Sequence, residues 1–130
     1  MALSSKRIKA MGCLSMLVVF VVIPLVYAMF SFDYLPVRFF DSSDWKQADY
    51  WSGIRIEMIE HLRWSGKLDG LSEAEVVELL GPETETTYFQ EYDFVYSLGP
   101  ERGFLSIDSE WLVIDFDDNG EVSRYQIVRD

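Results

Sequence analysis

Hydrophobic and polar positions divide the chain into stretches with different periods. Met11 to Phe32, "MGCLSMLVVFVVIPLVYAMFSF", carries no charge, while Asp33 to about Tyr50, "DYLPVRFFDSSDWKQADY", has no clear periodicity. From Gly53 the text becomes helical. Ile54, Met58, Ile59 and Leu62 recur at three- and four-residue intervals between Arg55, Glu57, Glu60 and Arg63, and Ser65-Gly66 closes the predicted helix. A second helix is predicted after Ser72, which forms a capping box with Glu75. Val76, Val77, Leu79 and Leu80 supply its apolar stripe, and Gly81-Pro82 stops it.

Beyond Pro82 the period changes to two. Tyr92, Phe94, Tyr96 and Leu98 alternate with Asp93, Val95 and Ser97, and Gly99-Pro100 ends this strand. Leu112, Ile114 and Phe116 alternate with Trp111, Val113 and Asp115, and a last strand is predicted from Glu121 to Val128. Thr84 to Phe89 either belongs to the first strand or forms a short one of its own; Glu101 to Asp108 reads as a loop, with a short strand within it as an alternative. The expected fold class is α+β: two helices packed on a three- to four-stranded antiparallel sheet, preceded by one N-terminal transmembrane or signal helix. Tyr92, Phe94, Leu112, Ile114, Phe116 and Ile127 are expected under the helices.

The amino-terminal text bears on location. Residues 1–12 form a basic tail with Lys6, Arg7 and Lys9, residues 13–32 an anchor or signal peptide, 33–52 a juxtamembrane segment, and 53–130 the folded domain. Counted from Met11 to Phe32, the apolar stretch would cover about 33 Å as a helix, enough for the hydrocarbon core of a bilayer. Basic residues before it and acidic residues after it predict a single-pass inner-membrane protein, with a cytoplasmic N-terminus and a periplasmic domain. Val26-Tyr27-Ala28, just after Pro24, also makes an acceptable signal-peptidase site, and cleavage at Ala28 would release a secreted protein. Cys13 follows Gly12 but precedes the apolar run, so no lipobox is formed. It is the chain's one cysteine, so no internal disulfide is expected. The aromatics Tyr34, Phe39, Phe40 and Trp45 either sit in the membrane interface or cover one edge of the domain.

Charge narrows the partners. All 22 acidic residues lie beyond Phe32 with 8 of the 11 basic ones, a balance of −14 that repels nucleic acid and anionic lipid. The sequence holds no glycine-rich phosphate loop, CxxC pair, HExxH or G-x-S-x-G. No catalysis, cofactor, metal or small-molecule substrate is therefore expected. His61, with Glu57 one turn before it, makes at most half of a zinc site and reads as a surface or helix-packing residue. Asp115, Asp117, Asn119 and Gly120 begin like a calcium-binding EF-hand loop. The terminal position nevertheless holds Gln126 rather than Glu, and the flanks read as strands rather than helices. Asn119-Gly120 instead predicts a type I′ hairpin, with weak divalent-cation binding as an alternative. Trp111 and Val113 on the outward face, together with Tyr88, are candidate contacts for a protein partner.

"LDGLSEAEVVELLGPE", a tyrosine-rich strand and "WLVIDFDDNGEVSRYQIV" together resemble the SmpA/OmlA (BamE-like) family of outer-membrane assembly lipoproteins. The matching positions are Gly70, Ser72, Val76, Leu80, Gly81, Pro82, Tyr96, Leu98, Phe116, Gly120 and Val122, within roughly residues 66–128. The chain departs from the family in lacking a lipobox and in placing Pro82 directly after Gly81. The resemblance implies two helices on a three-stranded antiparallel sheet, a fold shared by a secreted β-lactamase inhibitor, and a scaffold or protein-binding role. The expected function is a membrane-anchored extracytoplasmic scaffold of the bacterial envelope that binds another envelope protein. The alternative is a secreted inhibitor-like binder.

Overall fold

Residues 15–31, 38–103 and 105–130 are described in the computed structural model of the chain. The chain divides after Leu35 into two compact units. In the first, residues 15–31 are helical and include a wide π-helical turn at Val18–Val22, followed by α1 at Ile23–Ser31. Pro24 accounts for the wide turn: it has no N–H to donate, and its ring crowds the carbonyl one turn back. Ile23 N–H reaches instead to Val18 O. Among the described residues no helix is long and apolar enough to cross a membrane. The expected span, Met11 to Phe32, lies partly outside those residues.

The second unit is α+β, with helices packed against a three-stranded antiparallel sheet. Its helices are α2 (Ser42–Gln47), α3 (Ile54–Trp64) and α4 (Glu73–Leu80), with a 3-10 turn at Tyr50–Ser52. The strands β1 (Phe94–Pro100), β2 (Ser109–Phe116) and β3 (Val122–Arg129) lie in chain order. Both predicted helices form where their periodicity places them. The Ser72 hydroxyl accepts from Glu75 N–H while the Glu75 carboxylate accepts from Ser72 N–H, as the capping box requires. Val76 and Leu80 are buried, whereas Val77 lies on the outer side of α4 and is exposed.

The register sets two faces. Tyr96, Leu112 and Ile127 pair across the sheet on the face beneath the helices, as do Phe94, Ile114 and Tyr125. Tyr92, expected on this face, lies on the other one. The ladder starts only at Phe94, and Tyr92 precedes it in a turn where its N–H donates to Phe89 O. The alternation therefore has no hold on Tyr92, which packs with Val95, Trp111 and Val113. Thr84 to Phe89 forms no strand. It does occupy the edge of β1, where Thr84 N–H donates to Val95 O and the Thr84 hydroxyl accepts from Ser97 N–H. Those bonds cover an edge that would otherwise be open to pairing with other chains.

Two further expectations change. The segment before Gly53 belongs to the domain: Asp41 caps α2 by accepting from Asp44 N–H, and Trp45 is fully buried in the main core. A tryptophan with polar neighbours in sequence has no periodic signal to announce its burial. The β2–β3 turn also differs from type I′, since Phe89 is the one described non-glycine residue with positive φ and Asn119 is not among them. Gly120 takes the left-handed conformation (φ 74°) at the end of a longer loop, in which Gly120 N–H donates to Asp117 O and Asp117 N–H to Glu121 O. That is the three-residue hairpin ending in a glycine bulge, another solution open to an Asp-Asp-Asn-Gly text.

Candidate functional site

The cations of the domain fall into two groups. Every arginine beyond the basic tail is engaged within the fold. Arg38 pairs with Asp44, Arg63 with Glu60 and Arg124 with Asp115. Arg55 donates to Trp45 O and Ser97 O while lying over the Trp45 ring, and burial draws its pKa below the ordinary value, against a smaller upward pull from Tyr96. Lys46 and Lys67, in contrast, have no ion-pair partner among the described residues. They are the two lysines of the sequence beyond the basic tail, and both line one groove.

This groove, about 510 Å³, runs between α2 and α4. Ser42 and Lys46 come from α2, Glu75, Glu78 and Leu79 from α4, and Lys67 and Leu71 from the connection before α4. The Ser42 hydroxyl donates to Leu79 O at 2.6 Å, tying the two helices together beside the groove. Leu71 and Leu79 supply apolar surface, Lys46 and Lys67 positive charge, and Glu75 and Glu78 negative charge. Such a surface can hold an apolar side chain and orient the charges beside it. It contains no nucleophile paired with a base.

A second cluster is buried. Arg102, in the β1–β2 connection, donates to Glu110 from Nη2 at 2.8 Å and from Nε at 3.0 Å, and to Glu60 from Nη1 at 2.9 Å. Glu110 also accepts from Arg129, and Glu60 from Arg63. Glu110 is completely buried and Glu60 almost so. Burial alone would lower the Arg102 pKa, but hydrogen bonding and attraction from Glu110, then Glu60, override it and leave the pKa raised. Both carboxylates are thus committed to guanidinium partners, and the cluster joins α3, β2 and β3 across one end of the core. Its chemistry is that of a lock, in which each charge holds another.

The predicted contacts are distributed differently. Trp111 and Val113 are buried, because residues 84–92 fold over the outer face of the sheet and place Phe89 and Tyr92 against them. The exposure that a partner contact through Trp111 and Val113 requires is absent: they form a second, smaller core. Tyr88 remains exposed, with its ring 5.8 Å from that of Trp111, and lines a smaller cleft of about 280 Å³ with Thr84 and Tyr92. His61 accepts from Phe40 N–H at its Nδ1 and meets the Phe39 ring edge-on, which makes it a helix-packing residue. Glu57 turns to Arg38. At the acidic turn, Asp117 accepts from Asn119 and Glu121 N–H, and Asp115 is bound by Arg124. Among the described residues no group of three metal-ligating side chains comes together.

The sequence shows that Lys46 and Lys67 are the only lysines beyond the basic tail, but with Asp44, Asp49 and Asp69 close by it carries no sign that both stay unpaired and share one groove. The buried cluster did have a signal. In β2 the alternation that buries Leu112 and Ile114 also buries Glu110, and a buried carboxylate requires a partner. No protein family, curated protein or solved structure matches the chain.

Proposed function

We propose that this protein is a membrane-anchored, extracytoplasmic and non-catalytic binding module of the bacterial envelope, and that it holds a protein partner in the groove between α2 and α4. The observation that carries this reading is the convergence of Lys46 and Lys67 on one apolar-floored groove, in a domain whose arginines are all engaged within the fold. In so acidic a domain, two uncommitted ammonium groups attract an acidic segment, and Leu71 and Leu79 offer a seat for an apolar anchor. The partner segment is therefore an apolar side chain flanked by Asp or Glu.

The extracytoplasmic address is supported by the charge-free run Met11 to Phe32 and by the basic residues before it. The scaffold role is supported by the SmpA/OmlA-like punctuation and by a two-layer order of helices followed by three antiparallel strands.

Titration of the full chain in detergent with an apolar peptide flanked by acidic residues tests the groove. The Leu71 and Leu79 methyl resonances should shift, and Lys46→Glu with Lys67→Glu should abolish the shift. A basic-flanked peptide should leave both resonances in place. Equal response to the two peptides, or response elsewhere in the domain alone, would overturn the assignment.

A further inference from the structure

The sheet has two edges, and the fold treats them differently. On β1 the outward groups of Val95 and Ser97 are all taken. Glu83 accepts from Val95 N–H, Thr84 N–H donates to Val95 O, the Thr84 hydroxyl accepts from Ser97 N–H, and Arg55 donates to Ser97 O. β3 forms the other edge. Its first residue, Val122, is covered, since its N–H donates to Leu71 O at 2.8 Å. Tyr125 and Ile127, farther along, have no such cover: among the described residues, nothing outside the sheet bonds to their backbone N–H or C=O.

The register establishes that these groups point outward. Backbone groups along an antiparallel strand turn alternately to one side and the other. With Val95 and Ser97 facing out of β1, Phe94 and Tyr96 exchange bonds with Ile114 and Leu112. Trp111 and Val113 then face β3 and exchange bonds with Val128 and Gln126, which leaves Tyr125 and Ile127 turned away from β2. Phe116 agrees with this alternation: its N–H points to the β1 side and donates to Asp93, while its partner Val122 points out to Leu71. The side chains of Tyr125 and Ile127 pack against the main core, on the helix face of the sheet. Arg124 to Val128, "RYQIV", holds no proline and no lysine, the residues that commonly blunt an open edge.

We infer that β3 pairs antiparallel with β3 of a second copy of this chain, about a two-fold axis at Gln126. In that register Tyr125 of each copy stands opposite Ile127 of the other, and each such pair exchanges two main-chain hydrogen bonds. Every outward group of these two residues is then satisfied. Their side chains form an aromatic and β-branched pair on each side of the axis, a favourable combination across strands. Charge selects a second copy as the occupant. Arg124 comes opposite Val128 of the second copy and has Asp130 of that copy as a diagonal neighbour on the same face, so symmetry brings opposite charges together on both sides of the axis. No like charges stand opposed between residues 124 and 128. The contact is short, which makes the dimer reversible, and the dimer carries an α2–α4 groove on each copy. The pairing needs neither groove to be occupied.

The test has two arms, both on the full chain in detergent. In the first, amide hydrogen exchange of the unsubstituted chain is followed over a concentration series. The Tyr125 and Ile127 N–H groups should exchange several-fold more slowly in the concentrated samples, while the amides of the β2–β3 loop keep one rate. Exchange that stays fast at both residues at every concentration overturns the pairing. In the second arm, Cys13→Ser carries a single new cysteine, Gln126→Cys or Arg124→Cys, and is mildly oxidised. Circular dichroism matched to the unsubstituted chain verifies the fold. Two copies of position 126 face each other with Cβ atoms about 5 Å apart and should be captured as a disulfide dimer. Two copies of position 124 lie about 13 Å apart along the strands and should stay monomeric. Equal capture at the two positions, or capture at neither, overturns the register. Association through the apolar run Met11 to Phe32 alone would give that equal capture and leave both amide rates unchanged.

Discussion

At the scale of single residues, Arg102 is held from two sides. Its guanidinium bridges two buried carboxylates, Glu110 and Glu60, which come from different elements. Its contribution differs from that of Arg124, whose pair with Asp115 is solvated and contributes little. Removing one member of a buried ion network leaves its partners charged and desolvated, which typically costs about 3–5 kcal/mol. We expect Arg102→Ala to lose stability of that order in urea denaturation, and Arg124→Ala to leave the midpoint close to that of the parent. Similar midpoints for the two variants would show that the buried network does not hold the layer together. Gly99 is constrained in another way: at φ 138° and beside the Tyr50 carbonyl, it has neither the conformation nor the room for a side chain.

At the scale of elements, the helices show how far periodicity reaches. The stripe Val76, Val77, Leu79 and Leu80 is too wide for one face of a helix, and packing divides it: Val76 and Leu80 enter the core, Leu79 borders the groove, and Val77 faces out. Leu80→Ala should therefore cost about 2–5 kcal/mol by opening a cavity, while Val77→Ala should stay within about 0.5 kcal/mol of the parent. Thermal or urea unfolding distinguishes them, and equal losses would mean that α4 is rotated from the orientation described. The strands teach the complementary lesson. Alternation gave the correct face for Phe94, Val95, Tyr96 and Leu98, and it failed at Tyr92, where pairing has not yet begun.

At the scale of the whole molecule, two tyrosines couple global stability to alkaline pH. Burial, reinforced by Glu83, pushes the Tyr96 phenol well above its ordinary value of 10.0, and its hydroxyl donates to Gly81 O at 2.9 Å. Burial, then hydrogen bonding to Asp69, raises Tyr125 in the same direction. Both groups are raised in the folded state, so the native chain retains protons that the unfolded chain gives up. Their stabilisation is complete below about pH 10 and declines as pH rises beyond it. We expect denaturation midpoints measured across that window to fall with pH, and Tyr96→Phe to make the decline shallower, at a modest cost near neutrality from the lost hydrogen bond. An unchanged alkaline slope in Tyr96→Phe would remove this phenol as the source.

The two helices, the Ser72–Glu75 cap, the three strands and the β2–β3 hairpin were all legible in the text, because each depends on a repeat or on turn chemistry within a few neighbouring residues. The burial of Trp45, the covering of Trp111 and Val113, the pairing of Arg102 with Glu60 and Glu110, and the meeting of Lys46 and Lys67 in one groove were settled by packing. Each of these depends on segments distant in sequence arriving at the same place, and local periodicity carries no record of which distant partner fills a face or neutralises a charge.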